Sequence, residues 1–282
     1  MIRIVTDSTC DLPAELLAQH RIVVVPINIQ FGQETYQERL DLDDAAFYRM
    51  VDDRNMIPTT SQPSLGQYQT AYQALAAEPD TSAILSIHIT SKLSGTYDSA
   101  VTTARQMPQQ PPITVFDSLS GSMGLGFMVL EAAEMAEAGA TQPEIIARLE
   151  AVRDRMHIFF SVEDLRYARM SGRVGLARML LVTALNIKLT LTVHEGKLAL
   201  FKRVRGRPKA LEALINALTD RLKMDLPAKV AIIHAQAPET AEQVRAALAA
   251  RLRGAQVLVR DLSLGIAVHF GPGTVGVVGY NL

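Results

Sequence analysis

The stretch AILSIHITSKLSGTYDSA, residues 83–100, decides the fold class. It opens as a short apolar run of strand length and closes as the start of a helix, TYDSAVTTARQM. Between them lies a loop crowded with hydroxyls: Thr90, Ser91, Ser94 and Thr96, with Gly95 and the single charge of Lys92. Strand, loop and helix in that order make up half of a βαβ unit. The same alternation recurs on both sides. RIVT (3–6), RIVVVPINIQF (21–31) and ITVFDS (113–118) read as strands. CDLPAELLAQH, with Asp11 as its cap, DDAAFYRMVDD opened by Asp43, and LGQYQTAYQALAAE capped by Ser64 read as helices. GQETYQERL is a short excursion. GLGFMVLEAAEMAEAG forms a further helix closed by Gly139, and Thr141 and Glu144 have capping-box spacing at the head of the next. Such alternation predicts a mainly parallel sheet with helices on both faces.

After Met156 the pattern changes. HIFFSV (157–162) is a strand, and Arg173–Leu185 a helical stretch. KLTLTVHEGKLALFKRV alternates with period two around Glu195-Gly196, which predicts a β-hairpin. RPKALEALINALTDRLKM and PETAEQVRAALAARLRG are helices around the strand AKVAIIHA, and VLVRDL with a Gly-rich tail ends the chain. The expected architecture is two α/β domains: 1–156, α/β/α with a mainly parallel sheet, and 157–282, with a mixed, largely antiparallel sheet.

Composition narrows the function. The 282 residues are 48% hydrophobic and 20% charged, ample for a sizeable core. A net charge of −1 supplies no global field for nucleic acid. Cys10 is the single cysteine and the six histidines are scattered, which argues against a disulfide framework or a metal centre. No stretch has signal-peptide form or spans a bilayer, so a cytoplasmic protein is expected.

The residues that follow the predicted strands share one chemistry: TDST (6–9), TTSQPS (59–64), TSKLSGT (90–96) and DSLSGS (117–122). In an open parallel sheet, ligands collect outside the carboxyl ends of the strands. Hydroxyls beside unpaired helix N–H groups suit an anion. Ser and Thr are also the preferred helix caps, so any one loop is equally well read as capping. Ser91, Ser94 and Thr96 cannot all cap one helix, however. Phosphate sites normally add several cations, and no GxxxxGK[ST] motif is present, so a carboxylate fits better than a nucleotide. Charge-assisted hydrogen bonds contribute roughly 1.5–3 kcal/mol each. High affinity would need an apolar tail, at about 0.8 kcal/mol per buried CH₂.

GPGTVG (271–276) matches GxGxxG but leaves no room for the helix and acidic residue of a dinucleotide site. A GxSxG elbow is absent. His269, in VHFGPG, could reach a carboxylate, although a lone histidine is more often structural. An acyl-transfer or hydrolytic enzyme using Ser94 and His269 is the competing reading; Asp261 is the nearest acid in sequence to orient that histidine. The basic runs RYARMSGR and KRVRGRPK are either solvated surface or a patch for an acidic partner or a membrane surface.

Taken together and in this order, TDSTCDLP, TTSQPS, SKLSGTYDSA, RMSGRVG and HFGPGTVG resemble the DegV family of bacterial fatty-acid-binding proteins, along the whole chain. The resemblance implies two α/β domains and a long-chain fatty acid in a buried apolar tunnel between or beside them. It implies a carrier, not an enzyme, with no cofactor, whose partner is a fatty-acid kinase that phosphorylates the bound acid for phospholipid synthesis. By that resemblance Thr60 and Ser94 bind the carboxylate with their hydroxyls, Ser61, Gly95 and Thr96 are their neighbours in the fatty-acid site, and His269 completes the head-group site. Arg173, Arg203 and Arg205 fall in the region that meets the kinase or, transiently, a membrane surface.

Overall fold

A computed structural model describes residues 1–108, 110–170, 186–223, 225–252 and 254–282, without the side chains of Leu165 and Arg169. The chain forms two compact units: Met1–Asp154 with Ser263–Gly265, and Arg155–Leu262 with Ile266–Leu282.

The first unit runs β1 (Ile2–Asp7), α1 (Ala14–Gln19), β2 (Val23–Val25), β3 (Asn28–Phe31), β4 (Glu34–Gln37), α2 (Asp44–Arg54), β5 (Thr59–Ser61), α3 (Leu65–Ala76), β6 (Ala83–His88), α4 (Thr96–Gln106), β7 (Ile113–Asp117), α5 (Met123–Glu137) and α6 (Gln142–Arg155). Strands β2, β1, β6 and β7 make a wholly parallel sheet in that order. Because side chains alternate along a strand, Val5 and Ile84 pack on Tyr68, Tyr72 and Ala100 of α3 and α4. The alternate residues, Ile4, Leu85 and Ile87, are left for α5, which lies against β1 and β6. Asp43 and Ser64 cap α2 and α3 as their positions suggest, Ser64 within a complete capping box with Gln67.

Three expectations fail here. The run 21–31 is not one strand: Pro26, which cannot donate to a ladder, divides it into β2 of the parallel sheet and β3 of a separate antiparallel sheet, β4-β3-β5. The presumed excursion after it is the partner strand β4. Nor does Asp11 cap α1. Pro13 stands at the N-cap of α1, whereas Asp11 adopts a left-handed conformation (φ 53°) and turns its carboxylate inward to tertiary partners.

The second unit contains β8 (His157–Val162), α7 (Leu165–Met170), β9 (Ile187–His194), β10 (Lys197–Arg205), α8 (Arg207–Thr219), β11 (Ala228–His234), α9 (Pro238–Arg251), β12 (Gln256–Asp261), α10 (Leu264–Phe270) and β13 (Val275–Asn281). The six-stranded sheet has the order β10-β9-β8-β13-β11-β12, antiparallel except for β11–β12. Glu195 and Gly196 both take positive φ in the β9–β10 turn, as a type I′ hairpin requires. The Gly-rich tail is α10 followed by the central strand β13. There the glycine at 276 is needed for packing: a Cβ would lie 2.9 Å from both Ile233 and Phe160. Among the described residues no helix is long and apolar enough to cross a membrane. The expected helix at Arg173–Leu185 lies within 171–185, outside the described residues.

Candidate functional site

In the first unit the fold brings two of the hydroxyl loops together. Thr60 and Ser61 lie on β5, opposite Ile29 and Asn28 of β3. Ser94, Gly95 and Thr96 form the entry to α4, whose N-cap, Gly95, has no side chain to offer its N–H groups. The contact between the loops is Gln62, whose amide packs on Gly95: a Cβ there would stand 2.8 Å from Cδ and Nε2. The glycine is therefore a matter of space, since its φ of −74° is open to any residue. Ser94 and Thr96 share one hydroxyl bond, Oγ to Oγ1 at 2.7 Å, and the Thr96 N–H reaches Ser94 Oγ at 3.3 Å. Two hydroxyls that share one bond retain one hydrogen to donate elsewhere. Half-buried Ser94 and buried Thr96 thus make a neutral donor at the N-terminal end of a helix whose N-cap residue makes no capping bond, an arrangement suited to a carboxylate.

The loop is tied from beneath. The Thr90 N–H donates to the Ser120 carbonyl at 2.8 Å, and the Ser91 N–H to Asp117 Oδ1 at 3.2 Å. Ile89 N–H donates to Asp7 Oδ2 at 3.0 Å, and Thr9 gives Asp7 Oδ1 both its N–H, at 3.1 Å, and its hydroxyl. Asp7 is thus a strand-end hydrogen-bonding residue, joining the ends of β1 and β6.

Behind Asp7 runs a polar chain that sequence reasoning missed. His88 Nδ1 lies 3.0 Å from Asp7 Oδ2, and Nε2 lies 2.7 Å from Ser86 Oγ. The Tyr72 hydroxyl donates to Ser86 Oγ at 2.9 Å. One consistent assignment runs Tyr72 to Ser86, Ser86 to Nε2, and Nδ1–H to Asp7, with the Tyr68 hydroxyl also 3.3 Å from Nδ1. Burial pushes the Tyr72 phenol above its usual range and that of Tyr68 further. Serine, histidine and aspartate have the order of a hydrolytic relay, but all are fully buried. A substrate carbonyl has no approach, and the chain is a satisfied polar core. Its signal in the sequence is two polar residues at i and i+2 in an otherwise apolar buried strand.

In the second unit His269 occupies the last turn of α10. The turn after it is clamped. Gly271, at φ +77°, abuts the Tyr167 ring, and Gly273, at φ +81°, abuts Glu163, which binds Lys188 and, at 2.7 Å, Arg207. These cations hold the Glu163 carboxyl below its ordinary value against the opposing effect of burial. Asp261, the acid considered for orienting His269, stands 3.4 Å from Nδ1 of His234 instead. Arg203 and Arg205 lie exposed on the sheet-edge strand β10, beside exposed Lys202 and Lys209. Arg173 lies outside the described residues.

Comparison with known proteins gives a consistent result. The DegV family model matches residues 1–281. Protein DegV of Bacillus subtilis (strain 168) is 34% identical over 277 residues, covering 98% of each chain. The structure of a DegV family protein from Thermus thermophilus, described for its fatty acid binding, superposes with a TM-score of 0.91 at 33% identity, covering 100% of this chain and 99% of that one. A stearic-acid-binding protein from Eubacterium ventriosum ATCC 27560 matches with a TM-score of 0.90 at 26% identity, covering 100% of this chain and 98% of that one.

Proposed function

Because the chain belongs to the DegV family, we propose that it binds one long-chain fatty acid, with the acyl tail in an apolar tunnel and the carboxylate held by neutral donors. Likeness along the whole chain to relatives described as fatty-acid binding carries this reading. The donors are Thr60, Ser61, Ser94 and Thr96, with Gly95 allowing close approach; the family resemblance adds His269 to the head-group residues. Neutral donors suit a carrier. They orient a carboxylate without the strong pairing that would hinder its release, while the tail supplies most of the affinity at about 0.8 kcal/mol per CH₂. The proposed domains are 1–156 and 157–282.

The protein is a cytoplasmic carrier, not an enzyme, and requires no cofactor. Chemistry on the carboxylate belongs to a fatty-acid kinase that meets the exposed basic edge around Arg203 and Arg205, which also suits transient contact with an anionic membrane surface. Native mass spectrometry of the purified protein, with lipid extraction, tests the central claim. A single bound acyl chain of long-chain mass is expected. A protein that carries no acyl species and binds neither added palmitate nor oleate would sink the proposal.

A further inference from the structure

Residues 263–265 are the one piece of the chain's last third that packs as part of the first unit, and the chain on either side of it belongs to the second. Two buried carboxylates hold it. Asp11 Oδ1 accepts the Ser263 N–H at 2.9 Å, and Asp11 Oδ2 accepts the Ser122 hydroxyl. Glu38 Oε1 accepts the Gly265 N–H at 3.2 Å. Glu38 Oε2 accepts the Ser8 hydroxyl, whose oxygen takes the Ile27 N–H at 3.0 Å. The fit is close: a Cβ on Gly265 would lie 3.1 Å from Glu38 Oε2 and 3.3 Å from Ile27. Both carboxylates are only 1% exposed.

We propose that Asp11 and Glu38 form a proton-linked latch on residues 263–265, which closes more firmly as the pair takes up protons and opens as the pair ionises. Dry carboxylates are costly as anions. Lifting the segment lets water reach them and returns them to ordinary acidity, so the closed state binds protons more tightly than the open one. Each partner hydroxyl can reverse its donor and acceptor roles, so closure is compatible with either protonation state. The other groups facing the pair do not remove the effect. Arg39, whose field lowers both values, is exposed. The Cys10 thiol is pushed by burial to about 12 and stays neutral. Asp7 acts on Cys10, and the charge of Asp11 itself raises Glu38. Burial places Asp11 at about 6 and Glu38 at about 7, so proton exchange falls in the neutral range. The latch is independent of what the protein binds.

Amide hydrogen–deuterium exchange on the full chain tests it, with rates corrected for the intrinsic pH dependence. The Ser263 and Gly265 amides should exchange faster than those of Ile84–Ile87 in β6. Their opening constant should rise at least about tenfold between about pH 5.5 and 8. In D11N/E38Q that rise should vanish. If the double variant does not fold, Glu38→Gln alone should remove most of it, since Glu38 titrates nearest neutrality. Segment amides that exchange no faster than those of β6 at any pH would overturn the latch, as would a wild-type opening constant that does not change with pH. An undiminished rise in a folded variant would overturn it too.

Discussion

At the scale of single residues, Gly95 and Ser94 make separable claims. Gly95→Ala places a methyl against the Gln62 amide, 2.8 Å away, in a backbone conformation any residue tolerates. Stability should change little, because Gln62 is exposed and can swing aside. The contact between the loops would be lost, and oleate affinity measured by calorimetry should fall several-fold. Gln62→Ala alone should cost a similar factor and add little to Gly95→Ala; fully additive losses would show that the two loops do not act through this contact. Ser94→Ala removes a donor outright. A charge-assisted hydrogen bond contributes roughly 1.5–3 kcal/mol, so affinity should drop on the order of tenfold or more. Unchanged oleate binding in a folded Ser94→Ala protein would remove Ser94 from the head-group site. The hydroxyl loops were legible in the sequence because hydroxyls in excess of capping needs are a local signal. Asp11, Glu38, Ser86 and His88 were not, since what decides their roles lies elsewhere in the chain: Ser263, Gly265, Tyr72 and Asp7.

At the scale of elements, helix α5 depends on one missing side chain. A Cβ at Gly126 would lie 2.3 Å from the Cys10 carbonyl oxygen, a backbone atom that cannot step aside. Gly126→Ala should therefore destabilise by about 1–3 kcal/mol, read as a lower midpoint in urea. Gly66, exposed in the first turn of α3, meets only Ser64 Oγ, at 3.8 Å. Gly66→Ala should instead stabilise, by about 0.4–1 kcal/mol. Equal effects from the two substitutions would refute this account of α5. Elements with local signals could be read directly: Asp43 and Ser64 as caps, and Glu195-Gly196 as a turn. Strand β13 could not, because its glycines look like loop residues. Their reason appears only when Phe160 and Ile233 close on either side of Gly276. The run 21–31 misled for a related cause, in that its strand character is real but Pro26 assigns its halves to different sheets.

At the scale of the whole molecule, stability should depend on pH in an uncommon direction. Burial raises Asp11 from 3.8 to about 6 and Glu38 from 4.5 to about 7. The folded chain keeps protons that the unfolded chain has released. Their contribution is present below the unfolded values and is lost as pH rises through the folded ones. His157, lowered by burial and by Arg221, opposes this below its ordinary 6.5. The carboxylates therefore govern the range above it, and Tm should fall from about pH 6.5 to 8, with a shallower fall in Glu38→Gln. A Tm that climbs across that interval would contradict the assignment. The two-part α/β architecture was apparent from strand and helix order alone; the return of residues 263–265 to the first unit was not, because three residues leave no periodic trace.

That return also sets a schedule. A chain is made from its amino end at about 5–20 residues per second. Met1–Asp154 therefore emerges from the ribosome on the order of 5–20 seconds before Ser263–Gly265 follows. Throughout that interval Asp11 and Glu38 lack the Ser263 and Gly265 amides that they bind in the folded chain, so the first unit can be assembled early but finished only after residue 265 has been made.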